Sequence, residues 1–422
     1  MEGRNMTFHG REEMLRGVRE QLCKGYASPE DAYADAQEGA RAGIPDKICF
    51  LAECYLYGIG TDIDNDEGVK WLKKAAEAGS NAAQYSLASM YIDGIYIERD
   101  YDEAFRWLTK SVEGGAPPAY YTLGTMYENG IGCRQDFAKA AALYAKAAEQ
   151  DYPDAEFSLG QMYFNGTGVA KDQKKALDLY IKAAESGDSR AQNEAGYCFS
   201  TGQGTRQDYD EAFKWFSLSA EQGNAVALYS LASCYSGGLG VERDPAKALE
   251  CCTRSADLGY PPAQYSAGLS YLRGAGCERN SGEAVRYFEM SAKQGFPPAE
   301  NSLAFCYMSG IGVKADERMA FKWFERAAQA GIPDAMAEYG FYFMQGQIVP
   351  RNPQEGVKWF RRAAGKGNAE GQYYLGMCYE AGDGVEQDLN AALQYYMRAA
   401  QQGHANAVQR AKQLQQWMKG NK

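Results

Sequence analysis

A chain of 422 residues with 55 acidic against 44 basic side chains carries a net charge of −11, which argues against nucleic acid or an anionic membrane as its main partner. No run of about 18 apolar residues occurs, so the sequence predicts no helix inserted across a membrane. Only two histidines are present, His9 and His404, near opposite ends of the chain and without a neighbouring nucleophile or ligand set, and both read as surface residues.

Residues 1–28 mix charged and apolar residues with no continuous apolar stretch of the kind a secretory leader needs, and Met6–Lys24 predicts a capping helix. A cytoplasmic location is the expectation. Residues 29–43 match only the second half of a unit: Ala32, Ala40 and Gly43 fall in register with Gly68, Ala76 and Gly79. From residue 44 to 403 the chain then repeats ten times with a period of 36. Gly58, Gly94 and Gly130 begin a glycine column that runs to Gly382 without a slip, and Tyr55, Tyr91 and Tyr127 begin an aromatic column ending at Tyr379. A period of this size, held without insertion, marks a solenoid of small helical units, each burying its faces against its neighbours. Residues 405–418 read as a lone first helix, with Lys412 and Gln415 where the units carry Gly or Ala and an aromatic. Polar residues there suit an end that meets water. The predicted organisation is a capping helix plus half unit over 1–43, ten units over 44–403, and a capping helix and tail over 404–422.

Each unit predicts two helices. In Pro153–Phe164, Ala155, Leu159, Gly160 and Tyr163 recur on one helical face. Proline stands just inside the first helix in six units, where its missing N–H costs nothing. A Gly-x-Gly, here Gly166 and Gly168, ends that helix. An Asp or Asn follows in all ten units, from Asp64 to Asp388, as an N-cap; a Glu three residues later in half of them predicts a reciprocal capping box. The second helix carries a small residue (Ala176), Leu or aromatic positions (Leu179, Tyr180) and an Ala pair (Ala183, Ala184), and stops at Gly187. The Gly160 and Ala176 columns hold only Gly or Ala, which is where two backbones approach, with neighbouring aromatic side chains as knobs and Tyr163 read as a buried aromatic of that core.

The string A-x-x-x-L-G-x-x-Y-x-x-G-x-G-V-x-x-D-x-x-K-A-x-x-x-Y-x-K-A-A-E-x-G, spelled by Ala155 to Gly187, resembles the Sel-one-like repeat (SLR) family, relatives of the tetratricopeptide repeat. The resemblance covers about residues 29–403. It implies an all-α fold, a right-handed α/α superhelical solenoid of 36-residue helix-turn-helix repeats, used as an adaptor or scaffold for other proteins. Tyr96 and Ile348 depart from it by replacing the second glycine, and Cys251–Cys252 by replacing the usual aromatics of the second helix.

Cys54, Cys198, Cys234, Cys306 and Cys378 share one column in which other units have Met90, Met126 and Met162, while Cys133 and Cys277 take the place of a valine. Cysteine that alternates with Met or Val reads as a small buried apolar residue. Some SLR relatives carry two cysteines per repeat as bridges, and that spacing is absent here. An odd count of eleven favours a reducing compartment.

No constellation of catalytic residues emerges from the chain, and no metal or other cofactor is expected. Asp62–Gly68 imitates a calcium loop but has glycine at the seventh place and Lys73 at the twelfth. Gly166-x-Gly168 lacks the preceding strand of a dinucleotide fingerprint. Asn5-Met-Thr7 and Asn165-Gly-Thr167 fit a glycosylation sequon, relevant only to a secreted protein. Some SLR relatives are labelled β-lactamases, which keeps a hydrolase as an alternative, although no Ser-x-x-Lys on a suitable element or His cluster supports it.

The informative column is that of Gln161, opposite the packed face of the first helix, which in solenoids of this kind lines the concave surface. It reads Glu53, Ser89, Thr125, Gln161, Tyr197 and Ser233, then Leu269, Phe305, Phe341 and Met377. Leu272, Met308 and Met344 follow one turn on. These side chains either pack against the adjoining first helix or form a groove for an apolar or amphipathic segment of a protein or peptide partner. Because the column is polar in the first four units, the fold itself does not demand apolar residues there, and the expected function is a non-enzymatic adaptor, with hydrolase and structural spacer as alternatives. The cysteines are expected to be reduced and dispensable for folding. Mass spectrometry of the non-reduced protein from its native source checks this, and an intact disulfide among the five column cysteines would overturn it.

Overall fold

The computed structural model describes residues 17–420, and among these every regular element is helical. Two compact bodies meet in sequence at Asp208 and Tyr209. The same local construction recurs inside each.

In the fourth unit the first helix spans Pro153–Asn165 and the second Gln173–Glu185. Proline occupies the first turn of the first helix in six units, as read from the sequence. The turn is a left-handed pair, with Gly166 at φ 76° and Gly168 at φ 71°. Gly168 is required twice over, because a Cβ there would also lie 2.3 Å from the carbonyl oxygen of Phe137 in the preceding unit. Where Tyr96 replaces this glycine it keeps φ at 65°, whereas Ile348 leaves the left-handed region. Asp151, in the place of the glycine that ends the second helix, also holds φ at 56°, which its short polar side chain tolerates better than most.

The expected caps form. Asp64, Asp100, Asp136 and Asp172 in the first body, and Asp244, Asn280, Asp316, Asn352 and Asp388 in the second, each accept a backbone N–H of the helix they open. The expected reciprocal half of the capping box does not. In every unit the N–H of the cap residue donates instead to the carbonyl of the aromatic nine positions earlier, as in Asp64 to Tyr55 and Asp172 to Tyr163, at 2.9–3.1 Å. The glutamates are left to pair forward along the helix: Glu67 with Lys70, Glu103 with Arg106, Glu283 with Arg286 and Glu355 with Lys358.

The small columns pack by matched volume. Gly124, Gly160, Gly268, Gly340 and Gly376 face the rings of Tyr144, Tyr180, Phe288, Phe360 and Tyr396, and a Cβ on any of them would come within 2.6–2.9 Å of the ring. Where the partner in the second helix is the smaller Leu72 or Leu108, the first helix carries Ala52 or Ala88. In the eighth unit Ala304 and Phe324 coexist. This locates the buried rings on the second helix, with Tyr180 only 1% exposed. The aromatic column of the first helix, Tyr163 included, is half-buried instead, correcting its reading as fully enclosed core. Its rings lie beside second helices: Lys175 sits 5.3 Å from the Tyr163 centroid, and Tyr127 and Tyr235 meet Phe105 and Phe213 of the preceding unit edge to face.

A second buried column escaped the sequence reading. Gln84, Gln192 and Gln264, in the fourth place of their first helices, donate to the carbonyls of Ala76, Ala184 and Ala256 at the end of the preceding second helix, at 3.0–3.1 Å. Each of these carbonyls also accepts the N–H of the glycine three residues on, so the buried amide adds a second bond at the helix end.

Cys54, Cys198, Cys234, Cys306 and Cys378 are buried, and burial pushes their thiols up to about 11 or 12. This column is therefore built from un-ionised, apolar-like side chains. At the amino-terminal end residues 17–22 are helical, while the earlier part of the expected capping helix, with His9 and Asn5, lies outside the described residues. At the other end Ala405–Gly420 forms the lone helix, with Lys412 and Gln415 exposed and Ala407, Ala411 and Leu414 buried.

Gly160→Val should cost about 1–3 kcal/mol by overpacking against Tyr180. Tyr180→Ala should cost about 3–5 kcal/mol, the range for a buried aromatic. Tyr163→Ala, at a half-buried ring, should cost at most about 2 kcal/mol. Urea unfolding compares the three, and equal losses for Tyr163 and Tyr180 would mean that the core face is misassigned.

Candidate functional site

The apolar line lies entirely within the second body. Leu269, Phe305, Phe341 and Met377 take the ninth place of the helices Pro261–Arg273, Pro297–Ser309, Pro333–Gln345 and Ala369–Ala381. Leu272, Met308 and Met344 stand one turn on. None of the seven is fully buried: six are half-buried and Met377 is 43% exposed.

Each side chain has one edge in the core and one in the open. Phe305 meets Phe324 edge to face, with centroids 5.0 Å apart. Phe341 stacks on Tyr374 of the next unit at 5.0 Å and 17°, and Tyr374 rests in turn on Phe360. Leu269 and Leu272 lean on the core around Phe288 and Leu303, Met308 on that around Phe324, and Met344 on that around Val357 and Leu375. The side chains are therefore neither fully packed against their neighbours nor fully exposed.

An acidic cluster borders the line and was missed from the sequence. Asp334 and Glu338 occupy the second and sixth places of the ninth unit's first helix, and Glu370 the second place of the tenth. Burial raises the Glu338 carboxyl to about 7, and the charges of Glu370 and Asp334 push it the same way. Asp334 accepts from the Asn368 amide at 2.6 Å. Glu370 is bonded to His404 Nε2 at 2.9 Å. His404 was expected at the surface. Its side chain is only 12% exposed, stacks on Tyr373 at 4.6 Å, and its Nδ1 accepts the N–H of Ala407, capping the last helix. The signal lay in columns two and six, where only the ninth and tenth units place acids in succession, with Glu338 between them.

Among the described residues no group of three or more His, Cys, Asp or Glu side chains is placed to hold a metal ion. The Asp64 carboxylate of the calcium-like stretch accepts the Glu67 N–H. Among the same residues no helix is long and apolar enough to cross a membrane.

The Sel1 repeat model matches ten consecutive segments, 48–80, 81–115, 117–152, 153–188, 189–224, 225–260, 261–296, 297–332, 333–368 and 369–404. A crystal structure of a protective antigen present in uropathogenic Escherichia coli strains, displaying an SLR fold, is similar at 27% identity and TM-score 0.61, covering 91% of this chain and 90% of that one. A Sel1 repeat protein from Oxalobacter formigenes is similar at 29% identity and TM-score 0.60, covering 75% of this chain and 93% of that one. Among curated proteins none matches.

The raised carboxyl of Glu338 makes stability depend on pH with a defined sign. The folded state holds this proton more tightly than the unfolded chain, so the contribution is fully present below the ordinary glutamate value and is lost as pH rises through about 7. Glu338→Gln should therefore gain about 1–3 kcal/mol over the parent at pH 8 and little at pH 4. Urea unfolding at the two pH values checks this, and a gain that does not depend on pH would contradict it.

Proposed function

Because the chain belongs to the Sel1 repeat family, we propose that it is a non-enzymatic adaptor that holds a protein partner on the exposed face of its first helices. The observation that carries this reading is the line Leu269, Phe305, Phe341 and Met377, apolar and open to solvent along one edge, beside Asp334, Glu338 and Glu370. Phe and Met are side chains that interfaces favour, and the acids call for positive charge in whatever covers them. The partner segment is accordingly amphipathic, with apolar side chains along the stripe and Lys or Arg at the ninth and tenth units. The segments 1–43 and 404–422 serve as end caps of the ten-unit array. The buried thiols favour a reducing compartment such as the cytoplasm. Neither a hydrolase nor a plain spacer accounts for the apolar line.

The packed edges decide which substitutions test the idea. Phe305→Ser and Phe341→Ser forfeit ring pairs and should each cost about 0.5–1.5 kcal/mol beyond the lost burial. They are not the silent changes that a fully exposed stripe would allow. Met377→Glu should stay within about ±0.5 kcal/mol. Phe341→Ser combined with Met377→Glu should weaken the partner by about 2 kcal/mol or more, roughly 30-fold in Kd. Ser89→Phe in the polar part of the column should change neither stability nor binding. Affinity capture from the native source with mass spectrometry reads this out, and an unchanged partner set in the double variant would sink the proposal.

A further inference from the structure

Two columns break side by side where the sixth unit meets the seventh. Cys252 stands where Tyr144, Tyr180, Phe288, Phe324, Phe360 and Tyr396 fill the core, and Ser270 of the next first helix stands where other units carry Cys, Met or Tyr. Both changes remove volume from the same place. The result is visible at Ala248, which is half-exposed, whereas Ala104, Ala140, Ala176, Ala212, Ala284, Ala320 and Ala392 in its column are fully buried. A hollow of ≈ 310 Å³ opens there, bounded by Tyr229, Ser233, Ser236, Cys252, Ser266 and Ser270. A cavity of about 150 Å³ is enough to admit a benzene ring.

The lining sets the chemistry. Cys252 donates to the Ala263 carbonyl at 3.2 Å and is 5% exposed, so it forms a wall. Ser233 Oγ donates to the Tyr229 carbonyl at 3.1 Å, and Ser266 Oγ lies 3.3 Å from the Tyr229 hydroxyl. Among the described residues, the Ser236 and Ser270 side chains make no hydrogen bond to protein, which leaves two hydroxyls at the rim for an incoming polar edge. Apolar floor and hydroxylated rim together fit a phenol.

We propose that this hollow is a socket for one tyrosine side chain of the bound partner, whose ring takes the place that Phe288 or Tyr180 occupies within its own repeat. Ser233 and Leu269 are successive members of one column, so the socket stands at the end of the apolar line. The inference deepens the adaptor reading and rests on it for the source of the ring, but the socket can be tested without any partner.

The probe is p-cresol, added to the full chain and followed by ligand-observed NMR. Binding with a Kd in the millimolar range is expected for so small a ligand. Cys252→Phe should abolish it while leaving the urea midpoint unchanged or higher, since Ala304 with Phe324 is a precedent for a phenylalanine beside alanine. Ser270→Met, which restores a residue of its column, should abolish it as well, and provides the second variant if Cys252→Phe folds poorly. Absence of p-cresol binding to the parent chain, or undiminished binding in both variants, would overturn the socket. Affinity capture then separates the two readings. Loss of the partner in Cys252→Phe or Ser270→Met supports the tyrosine; retention by both, with loss in the Phe341 and Met377 double variant, overturns the tyrosine and leaves the adaptor standing. If the parent captures no partner that the double variant loses, the adaptor falls and takes the partner's tyrosine with it, whatever p-cresol does.

Discussion

The close approach of the two helices within each unit governs the rest of the structure. A backbone can come that near another only where one side chain is reduced to hydrogen or methyl, and the ring that crosses the gap must then match what remains. Glycine facing Tyr180 or Phe288 and alanine facing Leu72 or Leu108 are two solutions of one volume equation. With the spacing fixed, the turn glycines, the caps and the buried glutamines have defined places to be. Stability is distributed over many equivalent seams rather than concentrated in one core.

The periodic part of the architecture was legible because it depends on local chemistry repeated in register. A proline in the first turn, Gly-x-Gly at a left-handed turn and an acid at an N-cap each act within a few residues of themselves. Legibility ended where the deciding partner is distant in sequence or belongs to the backbone. The glutamates looked like capping-box members until the cap N–H was seen to be taken by the preceding helix's carbonyl. Tyr163 looked enclosed because its column is invariant in character, but the enclosure belongs to Tyr180. His404 looked exposed because nothing near it in sequence reveals Glu370 or Tyr373. The apolar line was found, yet its half-packed state was not, since that needs Phe324 and Tyr374 in space.

Half-packed side chains also have a bearing on recognition. A ring held along one edge by a buried neighbour has already lost much of its rotamer freedom before anything docks. Phe305 and Phe341 are held in this way, so under the proposed adaptor role covering their open edges would carry a small ordering penalty. The acids beside them act differently. Burial first, and the charges of Glu370 and Asp334 second, disfavour the ionised Glu338 carboxyl, and a cation placed among them would offset part of that cost.

The backbone bond that closes each turn, from the N-cap N–H to the aromatic residue's carbonyl, uses no side-chain atom of either residue. The joint is therefore the same at every unit, whatever decorates it. Growth and loss in such a chain are quantised: a segment cut from one turn to the equivalent point of another leaves two ends that fit, while any other length leaves a carbonyl and an N–H out of step. The molecule behaves as a vocabulary of interchangeable words with one grammar at the junctions. Units differ only in what they display between these common joints, and single residues such as Cys252 mark one unit off from the rest.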